Sequence, residues 1–165
     1  MKAVYHYSSP LGSIVIESDG QVLTGLRFGE PDDTQRETAM SELPIFSRTA
    51  LWLDIYFSGK APDFPPPMKI ITTPFRKEVY DILMTIPYGR TMTYGEAAYI
   101  IAKKKGIDRM SAQAVGGAVG RNPIGLIIPC HRVVGANGKL VGYAAGLDKK
   151  AALLKLEGIN LHSLY

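Results

Sequence analysis

The chain holds one cysteine, Cys130, and it stands in the tetrapeptide Pro129-Cys-His-Arg132. A thiol attacks as the thiolate, and with an ordinary pKa of ~8.5 it is mostly protonated near neutrality, so use as a nucleophile requires a base or a cationic setting. His131 and Arg132 are residue types that supply both. Neighbours in sequence need not touch through their side chains, so a bridging water is the expected proton route from Cys130 to His131. Glu157, in Leu153-Leu-Lys-Leu-Glu-Gly158, is of the right type to orient and polarise the imidazole as the third member of a relay. A lone cysteine is more often a small buried hydrophobe. What points to a nucleophile is the contiguous Pro-Cys-His-Arg, at the end of the apolar run Gly125-Leu-Ile-Ile128 and after the turn residues Asn122-Pro123. One cysteine also excludes an internal disulfide and a multi-cysteine zinc site, and with only His6, His131 and His162 beside it, neither metal nor cofactor is expected.

The elements that must position these groups can be read from capping and periodicity. Ser13-Ile-Val-Ile-Glu17 and Gln21-Val-Leu-Thr-Gly-Leu-Arg-Phe28 flank Asp19-Gly20 and read as a β-hairpin. After a polar, acidic stretch from residue 32, Leu51-Trp-Leu-Asp-Ile-Tyr-Phe57 suits a short helix closed by Ser58-Gly59. Ala61-Pro-Asp-Phe-Pro-Pro-Pro67 supports neither helix nor central strand. It marks a boundary between an N-terminal domain, residues 1–68, and a second domain, residues 69–165. Thr73-Pro74 opens a helix whose face is Phe75, Val79, Ile82, Leu83 and Ile86, ended by Pro87-Tyr88-Gly89. Thr93 caps a second helix, with Glu96 at the capping-box position, and Ser111 caps a third from Ala112 to Val119. Two short capped helices joined by a connector make a helix-turn-helix. The fold class is therefore α+β, a small sheet-containing domain followed by a mainly helical one.

A hydrophobic fraction of 46% and a charged fraction of 21% belong to an ordinary folded protein rather than a disordered or coiled-coil chain. No apolar run approaches the ~20 residues of a membrane span, and the N-terminus enters a strand pattern directly, so a cytoplasmic protein is expected. The net charge of +4 is unevenly placed: residues 1–68 carry 5 basic and 9 acidic side chains, residues 69–165 carry 14 and 6. Only the second part has the basic excess that suits a polyanion.

These residues resemble the O6-alkylguanine-DNA alkyltransferases. The resemblance runs, in order, through Thr73-Pro-Phe-Arg-Lys-Glu-Val-Tyr, Ile86-Pro-Tyr-Gly, Thr93-Tyr-Gly, Ala114-Val-Gly-Gly-Ala, Asn122-Pro, Ile128-Pro-Cys-His-Arg-Val-Val, Gly142-Tyr-Ala and Leu153-Leu-Lys-Leu-Glu-Gly. It is weaker in the first half, through Ser9-Pro-Leu-Gly-Ser and Tyr56-Phe-Ser-Gly. It implies direct-reversal repair of double-stranded DNA by a monomer: an alkylated guanine is flipped into a pocket, and Cys130 takes its O6-alkyl group irreversibly. O4-alkylthymine is the further substrate implied. The implied roles are His131 as base through water, Glu157 behind it, Asn122 holding the turn, and Tyr143 donating to guanine N3 as the base leaves. Contacts to DNA or substrate are implied for Tyr94, Gln113, Ala114, Gly117, Arg132, Val133, Ala144 and Lys150.

Two features depart from the family pattern. Gln113 stands where an arginine usually fills the space left by the flipped base, and it brings less reach and no charge. The connector Ile100-Ile-Ala-Lys-Lys-Lys-Gly-Ile-Asp-Arg109 is longer than usual, and its basic residues are candidates for compensating phosphate contacts. Three other readings compete: a protein that binds alkylated bases without accepting the group, a helix-turn-helix regulator with an incidental thiol, and a cysteine hydrolase. The first lacks an acceptor cysteine in its known form, and the last gives no reason for the basic half.

Overall fold

The computed structural model describes residues 2–30, 32 and 42–161. The acidic residues between 33 and 41 and His162 lie outside the described residues. The chain divides into two units, Met1–Ile70 and Ile71–Tyr165.

In the first unit β1 (Ala3–Ser9), β2 (Gly12–Ser18) and β3 (Leu23–Phe28) form an antiparallel sheet in chain order. Tyr5 pairs with Ile16 and Ile16 with Leu26, and Ile14, Val15 and Ile16 of the central strand are all fully buried. The hairpin expected from Asp19-Gly20 is there, but β3 starts at Leu23, not Gln21. The reason is local: the Asp19 carboxylate accepts from the Gln21 and Val22 amides at 2.9 and 3.0 Å, which lengthens the turn, and Gly20 takes a φ of +105°. The proline-rich stretch adds a short edge, since Leu23 donates to the Pro67 carbonyl at 2.8 Å and Lys69 to Leu23 at 2.9 Å. Helix α1 (Pro44–Phe57) begins seven residues before the expected Leu51. Pro44 suits a first helical turn, and Ile45, Phe46, Thr49, Trp52, Leu53 and Tyr56 form its buried face.

The second unit contains α2 (Pro74–Leu83), α3 (Tyr94–Lys105), α4 (Ala112–Val119) and α5 (Leu147–Leu156). The caps are those the sequence offers. Thr73 accepts from the Arg76 amide at 3.3 Å, Thr93 from Glu96 at 3.0 Å and Ser111 from Ala114 at 3.2 Å. Gly106, at φ +66°, stops α3 in a left-handed turn. Val79, Ile82 and Leu83 of α2 pack with Ala97, Ile101, Val115 and Ala118 to make the core, and the buried Tyr80 hydroxyl donates to the Ala118 carbonyl at 3.0 Å. Two short strands, β4 (Met92–Thr93) and β5 (Val133–Val134), pair in parallel, Met92 with Val133 and Thr93 with Val134. That pairing ties the residues after Cys130 to the start of α3. No helix among the described residues is long and apolar enough to cross a membrane.

Candidate active site

Cys130 begins a single 3-10 turn, Cys130–Arg132, at the end of a tightly wound loop. Asn122 organises that loop from both ends: its amide donates to the Ile128 carbonyl at 2.8 Å, and its side-chain oxygen accepts from the Ile124 amide at 3.0 Å. The apolar run 124–128 is buried as expected, but it winds as turns. Ile127 donates to Gly125, Ile128 to Ile124 and Cys130 to Ile128, and Leu126 holds a left-handed φ of +67° with its side chain buried. A leucine in that conformation is strained, and burial of its side chain among apolar neighbours holds it there.

The next two side chains point inward. His131 is fully buried, with Nε2 2.6 Å from Glu157 Oε2. Arg132 donates from Nε to Glu157 Oε1 at 2.8 Å and from Nη1 to the Ile86 carbonyl at 2.8 Å, and its guanidinium lies 5.7 Å from the Tyr88 ring centre. The Gly89 amide completes the set, donating to Glu157 Oε1 at 2.9 Å. Burial pushes His131 below its ordinary pKa, against the pull of Glu157, so the resting imidazole is neutral. Burial would raise Glu157, but the hydrogen bonds from His131, Arg132 and Gly89 outweigh it and hold the carboxyl well below the usual range. The pair therefore rests as neutral histidine and ionised glutamate. Nε2 is then the protonated nitrogen, and Nδ1 is the basic one.

Cys130 is partly exposed to a pocket of about 190 Å³ lined also by Tyr94, Asn122, Tyr143, Ala144 and, from α4, Gly116 and Val119. Burial pushes its thiol up, while a hydrogen bond from Asn122, the charge of Lys150 and the amides of Cys130 and His131 work the other way. The Tyr94 and Tyr143 hydroxyls are both raised by burial and, in second place, by Cys130, which keeps them protonated and able to donate. Tyr94 sits where a side chain at Gly116 would touch its ring, at 3.8 Å from the added Cβ.

The structure thus brings Cys130, Asn122, Tyr94, Tyr143 and Ala144 to one pocket, with His131 and Glu157 behind it. Gln113, Ala114 and Gly117 are exposed together on α4, and nothing lies within 4 Å of a Cβ added at Gly117. Of the other residues expected at DNA or substrate, Arg132 and Val133 have buried side chains, the first bonded to Glu157 and Ile86, the second in strand β5, and Lys150 is buried with its ammonium on the carbonyls of the loop before Tyr143. Gly89 was legible only as a helix terminator. Its φ of +78°, and a Cβ that would meet the Glu157 carbonyl at 3.2 Å, show that the turn must be glycine for the amide to reach the carboxylate. Among the described residues no group of His, Cys, Asp or Glu is arranged to hold a metal ion.

A capped helix-turn-helix with one exposed helix face, beside a pocket that contains the chain's cysteine with a buried histidine–glutamate pair next to it in the fold, is the layout of a DNA-binding protein with a cysteine in its pocket. Residues 74–159 match the family model for the 6-O-methylguanine DNA methyltransferase DNA-binding domain, and residues 3–70 match its ribonuclease-like domain. The methylated-DNA–protein-cysteine methyltransferases of Mycobacterium leprae and Methanosarcina acetivorans are 41% and 42% identical, covering 90% and 92% of this chain and 88% and 96% of theirs. The crystal structure of Mycobacterium tuberculosis O6-methylguanine methyltransferase superposes with a TM-score of 0.80 at 40% identity, covering 95% of this chain and 93% of that one. That of Mycobacterium tuberculosis OGT in complex with DNA gives 0.78 at 39%, covering 94% and 92%. The chain belongs to the 6-O-methylguanine DNA methyltransferase family.

Proposed function

We propose that this protein reverses alkylation damage in double-stranded DNA by moving the alkyl group of a flipped O6-alkylguanine onto Cys130. The observation that carries the reading is the pocket itself: its one thiol stands beside a neutral histidine held by an ionised glutamate, and its walls include two protonated phenols. DNA engagement is supported by the family's DNA-binding domain and by the relative solved in complex with DNA.

The chemistry follows from the charges. Cys130 gives its proton, through water, to His131 Nδ1; Glu157 offsets the imidazolium that forms, and Asn122 stabilises the thiolate. Sulfur then bonds to the alkyl carbon as the bond from that carbon to guanine O6 breaks. The electron pair passes into the purine, and a proton donated by Tyr143 at N3 lets it leave as neutral guanine. Ala144 contributes backbone to the pocket rim beside the base edge. The thioether has no ready route back to thiol, so each molecule acts once. Tyr94 borders the entrance and favours rotation of the nucleotide, while Gln113, Ala114 and Gly117 let α4 approach the minor groove. O4-alkylthymine fits the same chemistry, and action as a cytoplasmic monomer completes the reading.

The test is an intact-mass measurement after incubation with duplex DNA containing O6-methylguanine. One methyl group, located at Cys130 and absent in Cys130→Ala, is expected. Unmodified protein bound tightly to the damaged duplex would favour a role in recognition without transfer.

A further inference from the structure

Lys150 is 0% exposed, yet it is an ammonium and, among the described residues, no carboxylate is paired with it. Its Nζ donates to the Val141 carbonyl at 3.0 Å and to the Gly142 carbonyl at 3.1 Å, and it lies 5.9 Å from the centre of the Tyr94 ring. The Tyr94 hydroxyl donates to the same Val141 carbonyl at 3.4 Å. Side chains from α3 and α5 thus converge on one peptide, immediately before the residue that forms a pocket wall. Neutral carbonyls satisfy the hydrogen bonds of a buried ammonium but do not balance its charge, and a methionine would fill similar space without the desolvation cost. The group whose negative charge acts on Lys150, and which becomes anionic in the proposed reaction, is the Cys130 thiol.

On the strength of the repair reading, we propose that Lys150 is a positioning residue with two linked tasks: it clamps the 141–142 backbone that presents Tyr143, and it is the counter-charge that the Cys130 thiolate requires. The groups facing it are Cys130 and His131 from the 3-10 turn and Tyr94 from α3; Asp148 and Lys149 flank it on its own helix. The dependence is mutual. Burial brings Lys150 down to about 8, with Cys130 pulling it back up, and the Lys150 charge in turn draws the thiol down. Two groups that each favour the other's charged form must each lose that support when the other is neutralised.

Two measurements test this, both with iodoacetamide as the probe so that neither depends on the repair reading. In Lys150→Met, the rate of Cys130 carbamidomethylation near neutrality is expected to fall about tenfold or more, a shift of one pKa unit or more in the thiol, and to converge on the wild-type rate in alkali. In the wild-type protein, titration of the Lys150 Nζ followed by nitrogen NMR is expected to move to lower pH once Cys130 is carbamidomethylated. A folded Lys150→Met with the wild-type pH profile overturns the proposal. So does a Lys150 titration that ignores the state of Cys130, and that second result decides the matter if the variant does not fold.

Discussion

At the scale of single residues, Glu157 concentrates the most physical demand. It accepts from His131, Arg132 and Gly89 while buried, so replacing it leaves a buried guanidinium without its partner, a change that costs about 3–5 kcal/mol in comparable sites. Glu157→Gln is therefore expected to lower the urea midpoint and to slow methyl transfer about a hundredfold, the scale of general-base catalysis, read by single-turnover assay on O6-methylguanine DNA. The pH dependence has a definite sign. His131 has a folded pKa below its unfolded one, so as pH falls through about 6.5 the unfolded chain takes up the proton first and stability declines. Glu157 is also depressed, so its contribution is present above about 4.3 and fades as the pH drops further. Urea midpoints measured from neutrality to pH 4 should fall continuously in the wild type. A flat profile between pH 6.5 and 5 would contradict a buried neutral His131.

At the scale of elements, α4 is shaped by opposite requirements on its two sides. Val115, Ala118 and Val119 bury against the core, while Gln113, Ala114 and Gly117 face outward. Gly117→Leu should not lower the melting temperature, because a Cβ there meets nothing within 4 Å and leucine favours the helix more than glycine does, and should weaken binding to duplex DNA at least tenfold in a titration if that face enters the minor groove. Gln113→Arg is expected to do the opposite to base capture, prolonging the extrahelical state seen by a fluorescent base analogue, since arginine adds charge and reach. The turn after α2 is as sharply defined. Gly89→Ala places a Cβ in a left-handed backbone against the Glu157 carbonyl, and a loss of about 1–3 kcal/mol in denaturant unfolding is expected.

For the molecule as a whole, the relevant quantity is where the charge sits. The basic excess belongs to residues 69–165, and Lys103, Lys104 and Lys105 are exposed at the end of α3. Lys105 is engaged with Glu78 at 3.3 Å, and Lys103 lies 5.3 Å from the Tyr99 ring centre, so their geometry is partly set before any DNA arrives. Changing all three to alanine should reduce the slope of log affinity against log salt by about 1–2, since each phosphate contact contributes about 0.9. An unchanged slope would show that the connector stays clear of the duplex.

Most of the helical unit, and the residues that the structure gathers at and behind the pocket, were legible in the sequence because those signals are local. Caps at Thr73, Thr93 and Ser111 act within three residues, and Pro-Cys-His-Arg with a later Leu-Glu-Gly carries the relay in its order. Even in the first unit, the hairpin was legible from Asp19-Gly20, though not the two-residue delay that the Asp19 carboxylate imposes. Which cations are buried came only from the tertiary structure. Arg132 and Lys150 read as basic residues beside a site, and both are buried, one balancing Glu157 and the other bracing a loop under Cys130. Gly89 read as a stop and is a ligand of the Glu157 carboxylate. These roles depend on partners 25, 9 and 68 residues away along the chain, and no local propensity encodes a contact that chain folding alone brings within 3 Å.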